Sequence, residues 1–328
     1  MKIGKLDSDL LHDIVFKHLH TKRDEVLVRP SIGEDCAVVN YGDYNCILST
    51  DPITGAANEI GRLAVHINCN DIASNGVAPL GIMLTILAPE GTTVEEIDTI
   101  MEQAAKEANA LNVEILGGHT EITSAVNRIV ISATAIGKQP ASKLIKTSGA
   151  QVGDAIIMTK TAGLEGTGII AFDKQEELEK VLNMDEMNIA KDMLTQISVV
   201  PEGIIGGKHP VTSMHDVTEG GVLGAVWEVC KASNAGCEID YKKVPISPVT
   251  HKLCDHYNID PLKLISSGCM LITINEEDSI LLSKAFEEAN ILFATIGKIT
   301  SNGMVLIKNQ EQIMIQPPES DELYKVVD

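Results

Sequence analysis

The chain has 328 residues, and its 26 basic and 46 acidic side chains leave a formal charge of −20. Hydrophobic residues make up 44% and aromatic residues 3%, which excludes a disordered chain and an aromatic platform for single-stranded nucleic acid. The acidic balance also disfavours phosphate backbones and anionic membrane surfaces as partners.

At this length two domains of comparable size are expected. Leu10, Leu11, Ile14, Val15 and Leu19 recur at helical spacing behind capping residues, predicting a helix over 7–19. Asn45–Thr50 predicts a short strand that runs into Asp51, and Ile60, Leu63, Ala64, Ile67 and Ile72 predict a helix over 59–75 that carries Asp71. Residues 80–88 form an apolar run of strand length. Thr93-Val-Glu-Glu96 is a capping box, with Val94, Ile97, Met101, Ala104, Ala105 and Ala108 as the apolar face behind it. Strands are expected at 113–116 and 128–136.

The polar connection over about 138–152 is the best boundary, dividing the chain into domains 1–145 and 146–328. The second half predicts a strand at 155–159, a glycine-rich turn and helices over 166–173, 185–198 and 220–232. A strand at 269–275, a helix over 278–290 and two closing strands follow. The mixture implies two α/β or α+β domains, without internal repeats. No apolar run reaches the ~18 residues of a bilayer span, and the start lacks the apolar block of a signal peptide. Seven scattered cysteines without a Cys-x-x-Cys pair point to reduced thiols and a cytoplasmic protein.

Three aspartates stand out by position. Asp35 lies in the turn Ser31-Ile-Gly-Glu-Asp-Cys-Ala37, Asp51 ends a strand, and Asp71 sits among apolar residues of a helix. Carboxylates at the ends of separate elements can converge on magnesium, which takes hard oxygen ligands. Capping and turn formation are the alternative role for each aspartate. Asp71 is the exception, because a charge buried beside Ile72 needs a partner or a metal. Leu116-Gly-Gly-His-Thr-Glu121 and Ala162-Gly-Leu-Glu-Gly-Thr-Gly168 each read as turns after strands where backbone N–H groups can meet an anion, or simply as tight turns. His215-Asp-Val-Thr-Glu-Gly-Gly221 leads into an apolar helix, which suits capping or a phosphate pocket. Among the nine histidines, His119 alone lies in a site-like turn, and the rest read as surface or core residues.

In this order the elements resemble the aminoimidazole ribonucleotide synthase-like superfamily of ATP-using enzymes. The likeness rests on Gly33-Glu-Asp-Cys-Ala37, Ser49-Thr-Asp51, Asn70-Asp-Ile-Ala-Ser-Asn-Gly-Val-Ala-Pro79, Gly117-Gly-His-Thr120 and His215-Asp-Val-Thr-Glu-Gly-Gly221, and covers nearly the whole chain. It implies an N-terminal α/β domain that dimerises through its sheet, a C-terminal α+β domain, and Mg-ATP near the dimer interface. It further implies metal roles for Asp35, Asp51 and Asp71, and nucleotide contacts for Gly33, Asn70, Gly117, Gly118, Thr120, Glu121, Thr218, Gly220 and Gly221. Catalytic roles fall on Asp71, His119 and Asp216. Phosphoryl transfer to an amide or carbamoyl oxygen is the implied chemistry, and it depends on positioning and on cations.

The His215–Gly221 motif looks most like the hydrogenase-maturation branch. His119 departs from the acidic residue common at its position, and the sequence ends Tyr324-Lys-Val-Val-Asp328 without that branch's terminal cysteine. These readings lead to an ATP- and Mg²⁺-dependent homodimer acting on a small-molecule or protein-borne acceptor. A small-molecule kinase resembling thiamine-monophosphate kinase and a nucleotide-binding scaffold without turnover are the alternatives.

Overall fold

Asn45, Ile47 and Ser49 point inward while their neighbours along Tyr44–Ile53 are more exposed, so this segment is a strand with one covered face. The computed structural model describes residues 6, 8–54, 59–318 and 320–327. After helix α1 (Ser8–Ile14), the first sheet contains β1 (Val26–Val28), β2 (Ala37–Asn40), β3 (Tyr44–Ile53), β4 (Pro79–Ala88), β5 (Glu114–Ile122) and β6 (Val130–Pro140). Its order is β1-β2-β3-β6-β4-β5. Only β4 and β5 run parallel, because helix α3 (Val94–Ala110) makes the crossover between them. The expected Thr93–Glu96 capping box opens α3.

Helix α2 (Ile60–Ser74) is buried on nearly every side, including His66, Asn68, Asn70, Asp71 and Ser74. It lies between the first sheet and the second half of the chain, so its polar positions must find partners inside the protein.

The second sheet contains β7 (Ala155–Thr159), β8 (Val211–Val217), β9 (Gly236–Asp240), β10 (Cys269–Ile274), β11 (Phe293–Thr300), β12 (Met304–Lys308) and β13 (Glu311–Met314). Their order is β13-β12-β9-β11-β7-β10-β8. Around it run α4 (Leu164–Asp173), α5 (Gln175–Leu178), α6 (Met184–Asp192), α7 (Val200–Gly206), α8 (Gly221–Ala232), α9 (Pro248–Tyr257) and α10 (Glu276–Glu288). This is the two-sheet mixed α/β architecture expected from the sequence.

Several boundaries differ from expectation. The helix expected over 7–19 ends at Ile14 and a 3₁₀ turn follows at Phe16–His18; Asp7 is outside the described residues. The helix expected over 185–198 stops at Asp192 and continues as a 3₁₀ turn, Met193–Gln196. Three strands close the chain rather than two. Strand β8 escaped the pattern because Ser213, His215 and Asp216 are polar yet buried, which breaks the apolar run of an interior strand.

One apolar cluster joins the halves: Ile72 and Ala73 of α2 share it with Val199, Val200, Met214, Ile272 and Phe286. Asn70 adds a polar clamp, donating to the Ile197 carbonyl at 2.8 Å and accepting from the Val199 N–H at 2.8 Å. Asn70→Ala leaves both backbone groups unpaired in a buried seam, so a loss of about 2–4 kcal/mol in urea-denaturation stability is expected.

A carboxylate cluster as candidate active site

Four elements deliver acidic side chains to the seam. Asp35 arrives on the loop after Ser31, Asp51 on β3, Asp71 on α2 and Asp216 on β8. Gly33 brings the loop in: its φ is +79°, and a Cβ there would stand 3.1 Å from the Glu228 carbonyl of α8. Glu34 then fastens the loop by accepting the Thr147 and Ser148 N–H groups at 3.2 and 2.9 Å.

Ligand atoms of Asp35, His215 and Asp216 lie within 4.8 Å of one another. His215 is 2% exposed and sits between carboxylates, with Nδ1 2.9 Å from Asp35 and Nε2 3.0 Å from Glu228. Burial opposes its charge, but Asp35 and Glu228 outweigh burial and hold the imidazole well above its ordinary pKa. The Ser49 hydroxyl donates to Asp71, and the Ser74 hydroxyl donates to Asp216 at 3.0 Å. Burial, then the charges of Asp216, Asp35 and Asp51, push the Asp71 carboxyl far up. Asp216 rises to about 7, from burial first and Asp35 second, against the pull of His215 and Ser74. Its Oδ2 has no hydrogen-bond partner. The Asp51 backbone is fixed by Asn68, whose Oδ1 accepts the Asp51 N–H at 2.9 Å.

Burial and mutual repulsion therefore make the ionised forms of Asp71 and Asp216 costly in the protein by itself. A divalent cation would stabilise those ionised forms, and an all-oxygen donor set with water or phosphate suits magnesium better than zinc. The orphaned Asp216 oxygen fits that requirement.

The other candidate residues fall elsewhere. Asn70 spends both amide atoms on the seam clamp. Gly117, Gly118, His119, Thr120 and Glu121 do not form a turn; β5 continues through them to Ile122. Both glycines have φ near +150°, and a Cβ on Gly118 would strike the Leu84 carbonyl of β4, so glycine lets this edge strand lie against β4. Gly118 pairs with Leu84, Leu84 with Ala133 and Ala133 with Asp51. Three strand spacings of about 4.8 Å thus separate Gly118 from Asp51, roughly 14 Å. His119 is 64% exposed and its Nε2 meets Glu121 at 3.2 Å, so the single chain does not bring it to the aspartates. In the third region, Thr218 is half-buried, Gly221 begins α8, and the Gly220 N–H is already held by Asp321 at 2.7 Å. The Gly163 turn is likewise closed by its own chain, since Gly163 donates to Ser266 Oγ at 2.7 Å.

His215, expected among surface or core histidines, instead stands as a cation between Asp35 and Glu228. Ser49, Ser74, Glu34 and Glu228 were also missed. Spacing held a signal for two of them: Ser49 is two residues from Asp51 on one strand face, and Ser74 is one helical turn from Asp71.

Residues 33–139 match the N-terminal domain and residues 151–308 the C-terminal domain of the AIR synthase related protein family. The chain belongs to this family. A putative hydrogenase expression/formation protein of Methanocaldococcus jannaschii is 30% identical over 285 residues, covering 84% of this chain and 82% of that protein. The carbamoyl dehydratase HypE of Rhizobium leguminosarum bv. viciae is 24% identical, covering 82% and 78%. Among solved structures, AaThiL complexed with AMPPCP and TMP superimposes with a TM-score of 0.76 at 19% identity, covering 98% of this chain and 100% of that one. The hydrogenase maturation protein HypE in complex with ATP gives 0.70 at 19% identity, covering 98% and 97%. No helix among the described residues is long and apolar enough to cross a membrane.

The raised carboxyls carry a stability cost in metal-free protein. The Asp216 carboxyl binds its proton more tightly folded than unfolded, so its contribution is most favourable at acid pH and is lost as pH rises through about 7. With a chelator present, Asp216→Asn is expected to melt near wild type at pH 4 and several degrees higher at pH 8, by differential scanning calorimetry.

Proposed function

We propose that the chain is an ATP- and Mg²⁺-dependent enzyme that activates an amide, carbamoyl or similar oxygen by phosphoryl transfer. The cluster of Asp35, Asp51, Asp71 and Asp216 carries this reading, because it assembles hard oxygen donors around two buried carboxyls, Asp71 and Asp216, that burial and neighbouring aspartates hold above the ordinary carboxylate range. Asp35, Asp51 and Asp71 hold Mg²⁺ in this reading, and the unpartnered Oδ2 of Asp216 faces the same need. Bound there, Mg²⁺ supplies charge neutralisation for the nucleotide phosphates.

The chain's own residues do the rest. Ser49 and Ser74 orient the Asp71 and Asp216 carboxylates, while His215, clamped by Glu228, fixes Asp35. Phosphorylating a primary amide oxygen makes it a leaving group. Loss of phosphate and two N–H protons then yields a nitrile, with ATP converted to ADP and phosphate. The family membership and the carbamoyl dehydratase relative support this class of acceptor.

The site is completed in a homodimer. The face of the first sheet away from α2 presents Leu48, Met83, Thr85, Leu87 and Ile136 half-buried or exposed, a poor surface to leave in water. Pairing that face across a two-fold axis carries the Gly117–Glu121 edge toward the partner's aspartates, which the same chain cannot do. Residues 1–145 then form the nucleotide and dimerisation unit, and residues 146–328 the C-terminal α+β domain, which contributes His215 and Asp216 to the cluster.

Three measurements test this. Calorimetric titration should show Mg-ATP affinity reduced at least about tenfold in Asp51→Asn and Asp71→Asn, with unchanged circular dichroism; wild-type affinity in both rejects the metal assignment. Light scattering should report a dimer mass at micromolar concentration, and a monomer mass rejects the shared site. Incubation with ATP and primary amides should release ADP with free phosphate, whereas a stable phosphorylated product identifies a kinase resembling thiamine-monophosphate kinase.

A further inference from the structure

Strands β8, β10 and β7 are neighbours in the second sheet, so the chain leaving Asp216, the turn before β10 and the chain leaving β7 meet at one end of it. The turn of Ser266, Ser267 and Gly268 is locked in place there. Ser266 Oγ accepts the Gly163 N–H and donates to the Leu264 carbonyl, both at 2.7 Å, and the Gly166 N–H reaches the Ile265 carbonyl at 3.0 Å. Lys160 Nζ donates to the Gly268 carbonyl at 2.8 Å and to the Ser198 carbonyl at 2.6 Å. Gly268 has a φ of +104°, and a Cβ there would stand 2.6 Å from the Gln196 carbonyl.

Two polar side chains at this seat remain unused. Glu165, on the first turn of α4, is 5% exposed, and Ser267 is fully buried beside its carboxyl. Neither Glu165 Oε2 nor Ser267 Oγ has a hydrogen-bond partner. Buried polar atoms are rarely left so, and two together point to a missing partner. The surroundings limit what that partner is. Glu219 and Asp321 are the charged neighbours of Glu165, and Lys160, the cation bound to this turn, pairs with Glu202 at 2.6 Å, so an anion is repelled. The Gly220 and Ile265 N–H groups, which could hold an anion, are already taken by Asp321 at 2.7 and 3.1 Å. What remains is a carboxyl oxygen and a hydroxyl oxygen, both acceptors for N–H donors.

We propose that Glu165 and Ser267 form the seat for the primary amide or carbamoyl nitrogen of the acceptor, Glu165 Oε2 accepting one N–H and Ser267 Oγ the other. This seat rests on the phosphoryl-transfer reading above and names the residues that choose its acceptor. Held by both N–H groups, the amide keeps its carbonyl oxygen uncommitted, and that oxygen is the atom to be phosphorylated. The position fits as well. Met270 pairs with Asp216, so Ser267 stands one strand across and a few residues along from it, on the order of 10 Å away. A metal-held phosphate followed in line by an amide spans such a gap. Thr161, Thr218 and Ile265 around the seat are half-buried, so it lies just beneath the surface at this end of the sheet. Replacing the N–H groups of the acceptor by methyl groups would leave both oxygens unpaired, which gives the seat its selectivity.

Ligand-observed NMR on the full chain without nucleotide tests the seat, with methyl carbamate as the probe. Saturation transfer should detect binding to wild type, and methyl N,N-dimethylcarbamate, which has no N–H to give, should bind at least about tenfold more weakly. Glu165→Leu and Ser267→Ala should each weaken methyl carbamate by a similar factor, while calorimetry finds their Mg-ATP affinity unchanged. Wild-type affinity for methyl carbamate in either variant overturns the proposal, as does equal binding of the dimethyl compound. Tighter binding of methylammonium overturns it in favour of a cation seat, and a parallel loss of Mg-ATP affinity overturns it in favour of a structural role. Absence of methyl carbamate binding in wild type removes this seat, and the Mg-ATP titrations of Asp51→Asn and Asp71→Asn still decide the metal reading separately.

Discussion

The burial of α2 is the constraint on which the rest depends. A helix enclosed by a sheet on one side and by a second domain on the other cannot send its polar residues to water. Every such residue must be paired within the seam or tolerate an uncompensated charge. Asn68 and Asn70 meet the requirement with backbone groups, and His66 meets it with Glu107 at 3.0 Å. Asp71 does not meet it fully. One serine hydroxyl reaches it while three further aspartates surround it.

That shortfall is local. A carboxylate cluster left without enough cations costs stability in the isolated fold, and proteins retain such costs where a ligand repays them. The seam compensates through the apolar cluster that runs from Ile72 to Phe286 and through the Asn70 clamp, which together hold the halves in register around the strained centre. Among the described residues His215 is the cation built into the cluster, and its two nitrogens are committed to Asp35 and Glu228. It therefore fixes geometry instead of offering a lone pair to a metal.

The first sheet shows a second division of labour. Its inner face packs on α2, and its outer face and β5 edge remain open. Gly118 of β5 lets that edge lie close to β4, yet the exposed His119–Glu121 pair lies at the rim, away from the chain's own aspartates. A residue set that reads as one site along the sequence is divided in space between the centre and the rim of the sheet.

Local patterning settled much of the fold. The α2 periodicity, the Thr93–Glu96 capping box and the apolar runs of β4 and β7 are short-range signals, and the structure follows them closely. The buried aspartate was also legible, because Asp71 is charged at a position whose helical neighbours are apolar. Tertiary structure decided the remainder. Gly117–Gly118 continues a strand instead of making a turn because both residues pair with Met83 and Leu84 of β4. Polar β8 is a strand because β10 pairs with it. The role of His215 depends on Asp35 and Glu228, which reach it from a distant loop and a helix, and no spacing along the chain encodes that meeting. Periodicity reports which face of an element is apolar; only packing determines what that face meets.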